Sequence, residues 1–187
     1  MPSTTSKIVA QYECGEGQVP ARLFRVRYSG NQSLKARAKP SFKSPSDFKV
    51  MVESHLKWCS CEPTPFVSLF ASKDHAVTWA RQLLGHGYRD VVLLEIDAGR
   101  LSPLFCVRDL VQHRGVHTTL PGYLYEDEYL VLRKIPRKSV VGGAGVLQVD
   151  TIKQDEPDYE SSENSDSEWA RGPHTDFSGT ELGIQIL

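Results

Sequence analysis

Residues 66–97 read FVSLFASKDHAVTWARQLLGHGYRDVVLLEID and predict a strand, a helix and a second strand in close succession. The first five residues form an apolar run interrupted by one serine, which is typical of a short buried strand. Ser72 is a suitable helix N-cap, the apolar residues after it recur at helical spacing, and Gly85 and Gly87 end the helix. The run at 90–97 is rich in β-branched residues and indicates a central strand.

The elements on either side of this unit predict an α+β domain. A half-buried strand is expected at 22–28, and a helix is expected from the N-cap Ser46 to about residue 58. A strand is expected at 128–133, and a last β segment at 140–149 surrounds a glycine-rich turn. Helices therefore concentrate in the first half, without the regular β-α-β alternation of a doubly wound fold. Dinucleotide-binding and P-loop glycine motifs are both absent, which disfavours these two nucleotide sites.

Charge and composition divide the chain into three segments: a flexible N-terminal lead at 1–20, a domain at 21–149 and an acidic disordered tail at 150–187. Residues 151–187 carry nine acidic and two basic residues, whereas the rest of the chain carries 20 basic and 14 acidic residues. The tail has too little apolar surface to order itself. A basic domain favours an anionic ligand, and the tail either competes for the same surface or only keeps the protein soluble.

Signals for export, membrane insertion and metal binding are absent from the sequence. The N-terminus lacks the apolar core of a signal peptide, and the longest apolar run, at 91–94, is too short for a membrane span. The four cysteines include a Cys59-Ser60-Cys61 motif but no second pair at zinc-like spacing. We therefore expect a protein of the cytoplasm or nucleus with reduced thiols, no membrane association and no metal site.

Two residues on predicted strands have side chains suited to a ligand. Arg25 projects from the strand at 22–28, and a guanidinium held there suits a phosphate group because it offers several donors and a permanent charge. The alternative is a solvent-facing arginine on an edge strand. Ser68 lies among apolar residues, so its hydroxyl needs a partner. A backbone hydrogen bond within the core would satisfy it equally well.

Three consecutive carboxylates, Glu126, Asp127 and Glu128, stand at the start of an apolar strand. Carboxylates crowded in this way repel one another. On an extended backbone Glu126 and Glu128 would point the same way, so that one could act on a reacting centre and the other on an attacking nucleophile. The alternative is a solvated acidic turn before the strand.

Taken in this order, the three features resemble the ADP-ribosyltransferase superfamily, in its arginine–serine–glutamate branch. That family places an arginine on an early strand, a serine motif on a middle strand followed by a helix, and a Glu-x-Glu before a late strand. Arg25, Ser68 and Glu126-Asp127-Glu128 match these positions over roughly residues 20–148. The chain is also similar to uncharacterised fungal domains of this fold. The resemblance implies split mixed or antiparallel β-sheets, with helices packed mainly from the N-terminal half.

The resemblance also implies an activity, either NAD-dependent mono-ADP-ribosyl transfer or NAD⁺ hydrolysis with water as the acceptor. Arg25 would bind the NAD⁺ phosphate or the nicotinamide ribose, and Ser68 would orient the glutamate. Glu128 would stabilise the oxocarbenium-like transition state. Glu126 would position or activate a protein acceptor, for which arginine is the candidate side chain.

Aromatic residues complete the site that the resemblance implies. Where the family usually continues its serine motif as Ser-Thr-Ser, this chain has Leu69 and Phe70, and Phe70 would offer an aromatic surface to nicotinamide. The loop at 118–125 would recognise the acceptor, with Tyr123 or Tyr125 as its aromatic contact. NAD⁺ would be a substrate, and no metal would take part.

Two other functions remain open on the sequence. An inactive binding module would use the seven bases at 22–43, a stretch without any acid, to bind nucleic acid or a phosphorylated partner. An interaction protein would instead use its acidic tail. Salt separates the first of these from an enzyme, because phosphate contacts weaken steeply with ionic strength.

Overall fold

The computed structural model describes residues 3–31, 33–57, 62–141 and 145–146 of the 187-residue chain. In chain order the helices and strands are α1 (Thr4–Tyr12), β1 (Arg22–Arg27), α2 (Pro45–His55), β2 (Phe66–Phe70), α3 (Lys73–Gly85), β3 (Val92–Asp97), β4 (Leu104–Cys106), α4 (Val107–His113), β5 (Glu128–Leu132) and β6 (Gly145–Val146). The predicted α+β class is confirmed.

The central unit of β2, α3 and β3 forms as its sequence predicts. The Ser72 hydroxyl caps α3 by accepting a hydrogen bond from the backbone N–H of His75 at 3.2 Å. The buried face of α3 packs on the sheet through Ala76, Ala80 and Leu83. Beyond the helix, Gly87 has a φ of +80°, a conformation that glycine adopts without steric cost.

The described strands form one antiparallel sheet in the order β4-β5-β2-β1-β3-β6. β1 pairs with β3 along the whole of Arg22–Arg27, and β2 pairs with β5 along the whole of Phe66–Phe70. In the described part of the chain, however, β1 and β2 pair only at Phe24 and Phe70. The two halves of the sheet therefore diverge from this point. Split sheets, either mixed or antiparallel, were expected. The described strands are antiparallel, and the expected split corresponds to the divergence of β1 and β2 within one sheet.

The N-terminal segment expected to be a flexible lead contains α1, and for these residues the prediction was wrong. Ser3 caps the helix, and its apolar face is buried in the core through Ile8, Val9 and Tyr12. The Tyr12 ring stacks on Phe48 of α2 with 4.4 Å between ring centroids and 8° between planes. The short apolar run near the N-terminus is therefore the buried face of a helix.

The helix α2 begins two residues earlier than predicted. Its N-cap is Ser44 rather than Ser46, because Ser44 and Asp47 form a capping box and Pro45 occupies the first turn. The helix ends at His55.

The site region lies where α2 and α3 meet β2. α1, α2 and α4 pack against β2, β4 and β5 through a cluster that includes Phe48, Phe66, Phe105 and Leu130. The last residue of α2, His55, contacts Ser68 of β2, and His75 in the first turn of α3 lies against the ring of Phe70. Both helices thus reach β2 close to its divergence from β1.

Some predictions lie outside the described residues: the acidic disordered tail at 150–187, the glycine-rich turn at 142–144 and the Cys59-Ser60-Cys61 motif. Within the described ranges, no helix combines the length and the hydrophobicity needed to cross a membrane. In the same part of the chain, no three His, Cys, Asp or Glu side chains are arranged to hold a metal ion.

Candidate active site

Arg25 lies on the interior strand β1 and is only 8% exposed, which excludes a solvent-facing arginine on an edge strand. Its Nη1 donates a hydrogen bond of 3.1 Å to the backbone carbonyl of Ser68 on β2. Its Nε is buried and has no hydrogen-bond partner among the described residues. Burial lowers the pKa of Arg25 to about 10. A desolvated cation with an unused donor is suited to an anionic or strongly polar ligand group.

Glu128 lies on β5, where it is paired with Phe70, while Ser68 is paired with Leu130. Because paired residues and alternate residues of a sheet share a face, Ser68, Phe70 and Glu128 lie on the same face. The Ser68 hydroxyl lowers the pKa of the Glu128 carboxyl, so the two side chains lie near each other on this face.

The environment of Glu128 holds its pKa close to neutral. The side chain is 8% exposed, and burial is the main reason that its pKa rises to about 7. The nearby Ser68 hydroxyl and the charge of Arg25 oppose this rise, whereas the charge of Asp127 adds to it. A carboxyl of this kind changes its charge within the physiological pH range.

The structure therefore brings Arg25, Ser68 and Glu128 together from three strands. Among the described residues, however, Arg25 and Glu128 do not form an ion pair within 4.0 Å. Each influences the pKa of the other, so the two charges are near but not in contact. A cation and a carboxylate that are both desolvated and not directly paired are costly to keep, which is typical of functional sites.

His55 is part of this cluster, and sequence reasoning missed it. Its Nε2 lies 2.9 Å from the Ser68 hydroxyl, and its Nδ1 is hydrogen-bonded to the hydroxyl of Thr64. Burial, together with the positive charges of Arg25 and Arg37, lowers the pKa of His55 to about 3. The sequence signal for His55 was its position at the end of the apolar stripe that begins at Phe48. This pattern predicts a helix but does not show which residue the histidine contacts.

Glu126 does not share the environment of Glu128, because the backbone before β5 is not extended. The 3-10 turn Gly122–Leu124 continues into a turn, and the backbone N–H of Glu126 donates to the Gly122 carbonyl at 2.9 Å. Glu126 is exposed, whereas Glu128 is buried. Its carboxyl lies over Gly122, where an added Cβ would be only 3.0 Å from Glu126 Oε1. The expectation that Glu126 and Glu128 point the same way along an extended backbone was wrong.

Asp127, between the two glutamates, holds the turn against α3. Its Oδ2 accepts a hydrogen bond from the backbone N–H of Ser72 at 2.9 Å, and its Oδ1 lies 2.6 Å from His75 Nδ1. The backbone carbonyl of Asp127 also accepts from the N–H of Ala71 at 2.8 Å. Asp127 therefore fixes the point at which the chain enters β5, directly before Glu128.

The predicted aromatic contacts occupy different environments. Phe70 is half-buried, and its ring lies 4.7 Å from the His75 ring, centroid to centroid. Tyr123 is 73% exposed in the 3-10 turn, whereas Tyr125 packs partly against the core cluster around Phe48. Of the two tyrosines, Tyr123 is the one available to a partner protein.

A basic cleft of about 700 Å³ lies between the segments 33–35 and 134–137, beside Arg27 of β1. Its lining includes Lys35, Lys134 and Arg137, and none of the described residues that line it is acidic. Lys35 and Lys134 stand opposite each other in an antiparallel bridge. Part of the basic stretch 22–43 therefore lines a cleft, together with Lys134 and Arg137 from the C-terminal part of the domain.

Comparison with models of protein families gives a match. A model of the family described as "Domain of unknown function (DUF7587)" matches residues 18–149. The match contains every strand of the described sheet and leaves out α1. No curated protein matches this chain.

Proposed function

We propose that this chain, which belongs to the DUF7587 family, cleaves NAD⁺ between nicotinamide and ribose. The products would be nicotinamide and either ADP-ribosylated protein or free ADP-ribose. The observation that carries the proposal is that Arg25, bonded to the Ser68 carbonyl, and Glu128, on the same sheet face as the Ser68 side chain, are both buried without a direct ion pair. NAD⁺ has charges to complement both groups, because its diphosphate is anionic and its reacting ribose becomes cationic.

Glu128 would act on the reacting carbon. As the C1′–N bond breaks, nicotinamide leaves with the electron pair and positive charge develops on the ribose. An ionised carboxylate in a desolvated site stabilises such a charge far more than one in water. A nucleophile then attacks C1′ and completes the reaction. Ser68, whose hydroxyl lowers the pKa of this carboxyl, would orient the carboxylate by donating a hydrogen bond to it.

Arg25 and Phe70 would bind the substrate. Arg25 offers its unused Nε–H and a desolvated positive charge to the phosphate or the nicotinamide ribose. Phe70 lies on the same face as Glu128 and would stack against nicotinamide. The resemblance to the arginine–serine–glutamate branch of ADP-ribosyltransferases supports these roles, because its three motifs occur in the same order along the chain and lie on the neighbouring strands β1, β2 and β5.

The acceptor would approach the exposed turn before β5. Tyr123 and Glu126 are both exposed there and would contact an arginine side chain of a protein. Glu126 would first have to leave its position over Gly122. Hydrolysis needs no such movement, so wild-type protein without an acceptor should behave as an NAD glycohydrolase.

Nicotinamide release from NAD⁺ tests this proposal. Glu128→Gln should lower the rate by about 100-fold or more, because it removes the charge that stabilises the transition state. Glu126→Gln is the matched control, since it changes an exposed glutamate two residues away. It should leave hydrolysis unchanged and reduce transfer to an added guanidine acceptor. Full activity in both variants would contradict the assignment.

A second function is favoured by the basic cleft. Among the described residues, four bases and no acid line it, and the two lysines that stand opposite each other repel, which a bound anion would relieve. A nucleic-acid backbone would fit this chemistry without any reaction. Binding of a labelled oligonucleotide should then fall with rising salt and weaken in Lys134→Ala and Arg137→Ala. Arg81→Ala, on the exposed face of α3, serves as the control.

A further inference from the structure

His75 and Asp127 form a carboxylate–imidazole pair next to the proposed site. Asp127 Oδ1 lies 2.6 Å from His75 Nδ1, and Asp127 Oδ2 accepts a hydrogen bond from the backbone N–H of Ser72 at 2.9 Å. Both oxygens of the carboxylate are therefore held. Each of the two side chains is 23% exposed, so the pair is partly open to solvent.

The contact with Asp127 determines which nitrogen of His75 carries the proton. An ionised carboxylate can only accept a hydrogen bond, so Nδ1 donates to Asp127, and a neutral ring then has Nε2 unprotonated. Nε2 forms no hydrogen bond with any described residue, and it is not buried. An imidazole that a carboxylate orients through one nitrogen, and whose other nitrogen is available to accept a proton, has the arrangement of a general base.

The ring of His75 lies next to the sheet face that carries Glu128. The centroids of the His75 and Phe70 rings are 4.7 Å apart, and Phe70 is paired directly with Glu128 in the sheet. Side chains paired in this way are neighbours on one face. The imidazole and the Glu128 carboxyl are thus both neighbours of Phe70, the residue proposed to stack against nicotinamide.

The proposed hydrolysis needs a proton acceptor in addition to the groups already assigned. Water loses a proton when its oxygen bonds to C1′, whereas Glu128 is used to stabilise the charge on the ribose. Glu126 lies over Gly122 and was assigned to the acceptor protein. His55 has both ring nitrogens in hydrogen bonds, and its pKa is lowered to about 3, mainly by burial. His75 has the available nitrogen that this step requires.

We propose that His75 is a catalytic residue, the general base that takes the proton of the attacking water or acceptor on Nε2. This role rests on the proposed function. As the C1′–N bond breaks, nicotinamide leaves with the electron pair, the water oxygen forms the new bond to C1′, and a water proton passes to Nε2. Asp127 stabilises the imidazolium, which then releases its proton to solvent. The products are nicotinamide, ADP-ribose and one proton.

His75→Asn separates this role from a purely structural one. The amide nitrogen of asparagine takes the position of Nδ1 and can still donate to Asp127, but the variant has no base. Nicotinamide release should fall by about 100-fold, a usual loss for a general base. His86→Asn changes an exposed histidine at the end of the same helix and should leave the rate unchanged. Wild-type activity in His75→Asn would overturn the proposal, because the hydrogen bond to Asp127 alone would then be sufficient.

Azide distinguishes a lost base from a distorted site. It attacks C1′ as an anion with no proton to lose, so it needs no general base. Azide should raise nicotinamide release in His75→Asn by about tenfold or more, with little effect on wild type. The product should be ADP-ribosyl azide, identified by mass spectrometry. A loss of activity in His75→Asn that azide does not restore would also overturn the proposal.

¹⁵N NMR of histidine-labelled wild-type protein at pH 8.5 tests the pair without any reaction. Contacts with the Phe70 ring distinguish His75 from the other five histidines, so no variant has to fold. The proposal predicts a protonated Nδ1 and an unprotonated Nε2, and the opposite tautomer or a doubly protonated ring would overturn it. Absence of nicotinamide release by wild type would refute the proposed function and the base with it. Release that His75→Asn does not affect would refute only the base.

Discussion

Asp127 and His75 are joined by a 2.6 Å contact between Oδ1 and Nδ1, although they lie 52 residues apart in the chain. The second oxygen of Asp127 accepts from the backbone N–H of Ser72, the N-cap of α3. One carboxylate therefore attaches the turn before β5 to the beginning of a helix. Glu128 is the next residue, so this attachment sets where the proposed catalytic carboxylate enters the site.

Asp127→Ala should lower the free energy of unfolding by about 1–3 kcal/mol, because a partly buried N–H and an imidazole lose their acceptor. Nicotinamide release should fall as well, since Glu128 loses its fixed position. Asp74→Ala, an exposed acid in the first turn of the same helix, should cost under about 1 kcal/mol. Chemical denaturation measures both. Equal costs in the two variants would contradict a specific role for Asp127.

Glu128 should destabilise the fold at alkaline pH. Its pKa is about 7 in the folded state and 4.5 ordinarily, so between these values the folded protein holds a proton that the unfolded chain has lost. Stability from this group is therefore complete below about pH 4.5 and declines as the pH rises through 7. Glu128→Gln imitates the neutral acid and should be more stable than wild type at pH 8.5, on the order of 1–3 kcal/mol.

The same comparison at pH 4.5 is the internal control, because there the wild-type carboxyl is protonated and the difference should largely disappear. Glu126→Gln, which changes an exposed carboxyl, should match wild type at both values. Wild type and Glu128→Gln of equal stability at pH 8.5 would show that the carboxyl is not desolvated as described.

The proposed cleavage of NAD⁺ should depend on the ionisation of Glu128. Below a pKa of about 7 the fraction of ionised Glu128 falls, so kcat/KM should decrease by about tenfold per pH unit in that range. Above that value the rate should reach a plateau. A rate that stays constant from pH 5.5 to pH 8.5 would exclude Glu128 as the ionised group in the reaction.

The packing of α1 predicts a contribution to stability from residues outside the family match. Tyr12→Ala removes a buried ring stacked on Phe48 and should lower the free energy of unfolding by about 3–5 kcal/mol. Gln11→Ala, on the exposed side of the same helix, should change it by less than about 0.5 kcal/mol. Similar, small effects of both substitutions would mean that α1 does not belong to the folded core.

The sequence predicted the parts of this fold that local patterns encode. The unit of β2, α3 and β3 is encoded by 32 consecutive residues, which include the N-cap, the apolar face and the C-terminal glycines of α3. That Arg25, Ser68 and Glu128 form one site was implied by the resemblance to the arginine–serine–glutamate branch. The other contacts of the site join segments that are separate in the sequence. His55, at the end of α2, contacts Ser68 of β2, and Asp127 contacts His75 from 52 residues further along the chain.

The error at Glu126 has a local cause. An extended backbone was assumed to begin with the acidic triplet, whereas the chain turns between Gly122 and Glu126, and the Glu126 carboxyl lies over Gly122, which has no Cβ in the way. The strand begins only at Glu128, which is where antiparallel pairing with Phe70 becomes available. α1 was not predicted for another reason. Its apolar face is short, and it is stabilised by packing on Phe48 and the core, which a local sequence pattern does not show.

The most direct test of the central claim is calorimetric titration of NAD⁺ into protein that carries Glu128→Gln, so that binding is measured without cleavage. Adding Arg25→Gln should weaken binding by about 10- to 100-fold, the loss expected for one charge-assisted contact. Adding Arg22→Gln, which changes an exposed arginine on the same strand as Arg25 that is paired with Glu95 of β3, should leave the affinity unchanged. If NAD⁺ does not bind, or binds equally well without Arg25, the cluster of Arg25, Ser68 and Glu128 is not an NAD⁺ site.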